Sequence, residues 1–126
     1  MLDQAKELQN RSKKFAISIV KFYKRMPKTD EGRILGKQLL RSSTSVAANY
    51  RSVCRSRSRA EFIAKMGVVV EEADESHLWF EILTESEIVE HNTVADMMKE
   101  SEELLHIFSS SLSTARSNDR ARKFKQ

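Results

Sequence analysis

Arg55-Ser56-Arg57-Ser58-Arg59-Ala60-Glu61-Phe62-Ile63 is the stretch on which the fold turns. Its first half alternates arginine with serine, has nothing apolar to bury, and interrupts the periodic pattern before it. Its second half starts a helix. Ser58 stands three residues before Glu61, and Phe62 and Ile63 follow at once, so the serine side chain can accept from a free backbone N–H while the glutamate reaches back in return. One helix therefore ends between Val53 and Arg55, and the next begins at Ser58.

Upstream of that break, Leu35, Leu39, Ser42, Val46, Asn49 and Val53 fall within about 40° of one line at about 100° per residue. They form the inner face of a second helix capped at Thr29 or Asp30. Arg33, Lys37, Arg41, Arg51 and Arg55 line its opposite face. Ser42, Ser45, Ala47 and Ala48 are small enough for a neighbouring helix to approach closely. Downstream, Phe62, Met66, Val69, Ala73, Ser76 and Phe80 face inward from a third helix, with Glu71 and Glu75 outward. That outer face turns apolar at Leu78 and Ile82, with Trp79 beside them. Either the loop from Thr84 to Asn92 covers this patch or a second subunit does, and the interface is the favoured reading.

The first helix runs from Asp3 to Met26, burying Leu8, Phe15, Ile19, Phe22 and Met26, and stops before Pro27. The fourth is capped at Asn92 or Thr93 and turns Val94, Met97, Leu104, Leu105, Phe108 and Leu112 inward. Four amphipathic helices with short turns give an all-α, antiparallel up-down-up-down four-helix bundle over residues 1–116. The remainder, 117–126, is a basic C-terminal tail with little to bury, for which disorder is expected. Only three Gly and one Pro occur in 126 residues, which suits long helices.

Charge changes sign along the chain. From Arg33 to Lys65 eight Lys/Arg face Glu61 alone, a net of +7; from Met66 to Glu103 twelve Asp/Glu face Lys99 alone, a net of −11. The pI of about 9.3 makes nucleic acid or an anionic surface eligible as a partner. The apolar runs fall well short of the ~20 residues of a membrane span, and the start has no signal-peptide pattern. A single cysteine, Cys54, cannot form an internal disulfide, so a reducing cytoplasm is the expected compartment.

The run Gln38-Leu39-Leu40-Arg41-Ser42-Ser43-Thr44-Ser45-Val46-Ala47-Ala48-Asn49-Tyr50-Arg51, with Arg57-Ser58-Arg59-Ala60-Glu61-Phe62-Ile63-Ala64-Lys65 and Glu71-Glu72-Ala73-Asp74-Glu75, resembles the four helix bundle protein family. Its members are also named for proteins encoded in intervening sequences of bacterial 23S rRNA genes. Many members read Ser-Ile-Pro-Ala-Asn-Ile-Ala-Glu-Gly in the second helix. Ser45-Val46-Ala47-Ala48-Asn49-Tyr50-Arg51-Ser52-Val53 keeps the Ser, the Ala-Asn and the apolar positions but lacks the Pro and the Glu-Gly. The resemblance implies a closed bundle assembled as a ring-shaped homopentamer. It also implies kinship with accessory proteins of diversity-generating retroelements, in which a basic pentamer binds nucleic acid and a reverse transcriptase.

Residues suited to chemistry are few. Glu103-Leu104-Leu105-His106 has the form found in di-iron bundles, but the two inward glutamates and the second full motif that such a centre needs are lacking, Asp74-x-x-His77 being only approximate. His91 has no companion ligand. Cys54 is more than twenty residues from every His and reads as a small buried thiol. Asn49 reads as a register-fixing buried amide. No catalytic residue, cofactor site or metal site is assigned, and an enzyme is the third choice.

Two function classes remain. In the first, Lys37, Arg41, Arg51, Arg55, Arg57 and Arg59 contact the phosphates of RNA or DNA, helped by Lys24, Lys28 and the segment Arg120 to Lys125, without base readout. Tyr50 is the only ring there for stacking. In the second, the basic face of one subunit docks on the acidic face of the next around Leu78, Trp79 and Ile82. Arg41 and Arg51 can also pair with Glu71, Glu72 or Glu75. Arg55, Arg57 and Arg59 are the best phosphate candidates.

Overall fold

Short connections and capped starts account for the architecture. The computed structural model describes residues 2–125, which form α1 (Leu2–Arg25), α2 (Asp30–Val53), α3 (Arg59–Glu85) and α4 (His91–Lys125). Connections at 26–29, 54–58 and 86–90 force consecutive helices to lie antiparallel and side by side. The α2–α3 seam is the most extensive, α3–α4 and α1–α2 follow, and α1 meets α4 sparsely; α1–α3 and α2–α4 are the diagonals. No described helix is long and apolar enough to cross a membrane.

Each boundary has a local cause. Lys24 and Arg25 sit at the negative end of α1. Thr29 caps α2, its hydroxyl accepting the Gly32 N–H at 3.1 Å. A Cβ at Gly32 would lie 2.6 Å from the Pro27 carbonyl oxygen, so glycine is what lets the turn close onto the helix. Ser58 caps α3 by accepting the Glu61 N–H at 3.0 Å, while the Glu61 carboxylate turns to Lys65 at 2.8 Å. The start of α4 departs from the expected cap at Asn92 or Thr93: the helix begins at His91, with the Thr93 N–H on the Glu90 carbonyl at 3.0 Å. The cause is the tight exit from α3. Glu87 takes a left-handed φ of 61°, and the N–H groups of Ile88 and Val89 both fold back onto the Leu83 carbonyl.

The inner stripes read from the sequence form the core. Leu8, Phe15, Ile19 and Phe22 of α1 and Met26 just after it are buried, as are Leu39, Val46 and Val53 of α2. Two tilted aromatic contacts cross the diagonals, Phe15 with Phe80 at 6.5 Å and Tyr50 with Phe108 at 5.0 Å between ring centres. Each helix also contributes a buried serine: Ser12, Ser42, Ser76 and Ser101. Ser42 Oγ and Ser76 Oγ are 2.8 Å apart across the α2–α3 seam, and each also reaches a carbonyl of its own helix. Small side chains here let the two helices approach closely.

Three expectations are corrected around the end of α2. Tyr50, expected to be the one ring of the basic region that could stack on bases, is buried at 5% exposure against Phe108. Asn49 is only half-buried and donates to Ser45 O at 2.9 Å and Ser45 Oγ at 2.8 Å, within its own helix. Buried positions of α2 run Gly36, Leu39, Ser43, Val46, Tyr50 and Val53 in alternating steps of three and four, so the core line passes through Tyr50 and leaves Asn49 at its edge. Cys54, the residue capping α2, is exposed rather than buried.

The segment 117–125 also differs from the expected irregular tail, because α4 continues through it to Lys125. No Gly or Pro follows Gly67 to break it. Lys123 pairs with Asp119 one turn earlier at 3.2 Å, and Arg122, Lys123 and Lys125 suit the negative end of the helix. Beyond Leu112 none of its described side chains is buried.

Candidate nucleic-acid interface

Bundle register sorts the six candidate contact residues, Lys37 to Arg59, into three groups. Lys37 lies in the half of α2 near the α1–α2 turn, about 21 Å along the helix from Arg51. Lys24 and Lys28 belong to that same far end, so they do not join the arginines of the α2–α3 turn.

Arg41, in the middle of α2, is engaged within the molecule. Its Nη1 lies 3.1 Å from Glu72 Oε2 and its Nη2 meets Glu75 Oε1, both on α3. The hydrogen bond to Glu75, helped by the two carboxylate charges, holds the guanidinium charged above its usual range. Glu75 also accepts Trp79 Nε1–H at 3.3 Å. The α1–α4 seam carries a parallel arrangement that sequence reading missed: Arg11 Nη2 reaches Glu100 at 2.5 Å and Glu103 at 3.2 Å. No local pattern could announce it, since these helices become neighbours only on folding. It also engages the glutamate of the Glu103-x-x-His106 motif, while His106 is exposed.

Arg51, Arg55, Arg57 and Arg59 form the third group. All four are exposed and have no ion pair among the described residues. Arg51 sits in the last turn of α2; Arg55 and Arg57 ride on a turn closed by Arg55 N–H to Ser52 O and Ser56 N–H to Val53 O, both 3.0 Å; Arg59 opens α3. The acid nearest in sequence, Glu61, is held by Lys65, whose hydrogen bond keeps its carboxyl below the usual range, with the Arg57 charge adding to the effect.

The same end of the bundle receives the basic extension of α4. Because α4 runs antiparallel to α3, its residues beyond Leu112 pass the start of α3 and continue outward. Arg116, Arg120 and Lys123 fall at spacings of four and three, on one stripe of that extension, and Phe124 is 92% exposed. Tyr50 is withdrawn from this surface. Burial, and then the neighbouring Cys54 thiol, push its phenol well above the usual range.

The expected apolar interface divides in the same way. Leu78 is 47% exposed. Trp79 is half-buried and packs against the core edge, and half-buried Ile82 shares a shallow groove with Pro27, Leu35 and Ile88. The loop after α3 thus covers part of the patch and leaves Leu78 outside. Sequence reading missed four further exposed apolar residues, Ile17 and Val20 of α1, Ile34 of α2 and Val68 of α3. For the first the signal was present, since Ile17 lies opposite the core line of α1. Among the described residues no group of three or more His, Cys, Asp or Glu is placed to hold a metal ion.

Comparison with known proteins agrees with this architecture. The profile of the 23S rRNA-intervening sequence protein family matches residues 4–110. A crystal structure of a Bacteroides thetaiotaomicron VPI-5482 protein, of unknown function and from the S23 ribosomal protein family, is 30% identical, with a TM-score of 0.79 over 86% of this chain and 97% of that one. No curated protein matches the chain. The profile match stops at residue 110, so the basic extension of α4 lies beyond it.

Proposed function

The chain belongs to the 23S rRNA-intervening sequence protein family, and from that premise we propose that it is a non-enzymatic, self-associating bundle of the cytoplasm that binds nucleic acid through phosphate contacts. The observation that carries this reading is the group Arg51, Arg55, Arg57 and Arg59, exposed and without an ion pair among the described residues, at one end of the bundle beside the extension of α4. Guanidinium groups without an internal carboxylate keep their full charge for phosphate oxygens, and contacts of this kind release counterions from a nucleic acid backbone. With Tyr50 buried, no exposed ring among the described residues lies between the four arginines to stack bases, so recognition rests on backbone charge. Arg41 is withdrawn from the site because Glu72 and Glu75 hold it.

Self-association, in a closed ring such as the homopentamer that the family resemblance implies, would repeat this end several times and multiply the phosphate contacts. A second reading, an interaction oligomer serving a nucleic-acid enzyme such as a reverse transcriptase, is favoured by the exposed apolar residues on outer helix faces.

The test is binding to duplex DNA, single strands and structured RNA over a series of salt concentrations. The protein is expected to show a steep log–log salt dependence. Replacing Arg51, Arg55, Arg57 and Arg59 with Ala should reduce the duplex slope by roughly 3.6, at about 0.9 for each phosphate that is no longer neutralised. A flat, weak response from the unaltered protein overturns the nucleic-acid reading.

A further inference from the structure

We infer that the outer face of α1, centred on Ile17, docks onto the outer face of α3, centred on Leu78, of a second copy of this chain. The inference rests on the self-association proposed above and names its surfaces. Ile17 is 46% exposed and Val20 38%. Lys13, Lys14 and Lys21 stand one turn from Ile17 on either side, with Lys24 beyond. From Gln9 to Arg25 the helix has no acidic residue, and none of these four lysines has an ion pair among the described residues.

The outer face of α3 is the converse. Leu78 is 47% exposed and Val68 41%, flanked by Glu71, Asp74, Glu81 and Glu85, which likewise have no ion pair among the described residues. From Met66 to Glu85 the helix has no Lys or Arg. The same stripe carries Ala60, Ala64 and Gly67 toward its start, and a Cβ added at Gly67 would meet nothing within 4 Å. A partner helix therefore finds an apolar centre, an acidic border and room for close approach.

The occupant is another copy because both halves of the interface are on every chain. α1 and α3 are diagonal in the bundle, so their outer faces point to opposite sides. One copy can offer its lysine-bordered face while its own acidic face receives the next, which is the arrangement of a heterologous interface. The outer face of α2 fits the acidic face less well. Its exposed apolar residue, Ile34, has Asp30 and Glu31 one turn away as well as Arg33 and Lys37, a border of mixed sign. Arg41 is already bound to α3 of its own chain, and Arg51 and Arg55 stand at the other end of the helix from Ile34.

Single-cysteine variants test the juxtaposition. With Cys54→Ser removing the exposed native thiol, Ile17→Cys and Leu78→Cys proteins are mixed, treated with a mild oxidant and resolved by mass, while light scattering reports the assembly of the unaltered chain. A dominant cross-link in the mixture, several-fold above either variant alone, is expected. An oligomer without that cross-link, or with dominant Ile17→Cys self-pairing, overturns the surface assignment and leaves self-association standing; a monomer by light scattering overturns both. As a second check, Lys13→Glu with Lys21→Glu should lower the assembled mass, and mixing with a Glu81→Lys, Glu85→Lys chain should restore it. Unchanged mass in the first variant, with helicity intact, also overturns the assignment.

Discussion

The middle of the bundle and its α2–α3 end treat arginine in opposite ways. At mid-height Arg41 and Arg11 each bridge two glutamates one turn or less apart on an adjacent helix, and the Ser42–Ser76 contact lets α2 and α3 close on one another. At the end, four arginines of the same stretch of chain have no such partner among the described residues. A residue's place along the bundle axis thus decides whether its charge binds the fold together or is left for a partner. The block of +7 in the sequence contains both kinds.

Replacing Ser76 with Leu breaks the middle most severely. The side chain is fully buried against Ser42, so a larger one must push α2 and α3 apart, at a cost of about 1–3 kcal/mol. Chemical denaturation should show that loss, while nucleic-acid binding by the folded protein should not change. A change in affinity of the folded variant would show that the two regions are not independent.

Arg41→Ala and Arg57→Ala sharpen the contrast at smaller scale. Arg41 is half exposed, so its two ion pairs contribute at most about 1 kcal/mol. The expected result is a modest loss of stability with an unaltered salt slope for Arg41→Ala, and unaltered stability with a shallower slope for Arg57→Ala. The reverse pattern would sink the division between a structural and a binding arginine.

Tyr50 gives the smallest effect and marks the border between the regions. Its folded phenol titrates above the ordinary value of 10.0 because it is buried, with Cys54 as the lesser cause. Folded protein then holds a proton that unfolded protein gives up, so this contribution is complete below pH 10 and is lost as pH rises above it. Tyr50→Phe should flatten that alkaline decline in melting temperature relative to the unaltered protein. An equally steep decline in both would mean that the ring does not remain buried.

Much of this was legible in the sequence for a physical reason. Stripes such as Leu39, Val46 and Val53 repeat at the helical period, and the Ser58 cap is a contact within four residues, so both are written locally. Which arginines are free was not legible in the same way. Arg41 and Arg51 look alike on one helix face, and only the register of α3 against α2 places two glutamates beside the first. Tyr50 was missed because the expected inner line, drawn through Leu35 and Asn49, lies to one side of the buried one, which runs through Leu39, Val46 and Tyr50. The tail was misjudged because composition reports how little a segment can bury, whereas its helix is maintained by continuity with α4 and by local pairs such as Asp119–Lys123.

The extension of α4 acts as an outrigger. Arg51 to Arg59 are fixed by two packed helices and a hydrogen-bonded turn, so their mutual spacing is set. Beyond Leu112 the last helix buries no described side chain, and Phe124 stands about 18 Å along it past that residue. A tilt of about 10° there would carry the terminal cations roughly 3 Å sideways, given that lever length. Under the proposed function, one half of the basic surface is therefore a rigid gauge and the other an adjustable jaw, able to follow a backbone whose groove width varies from place to place.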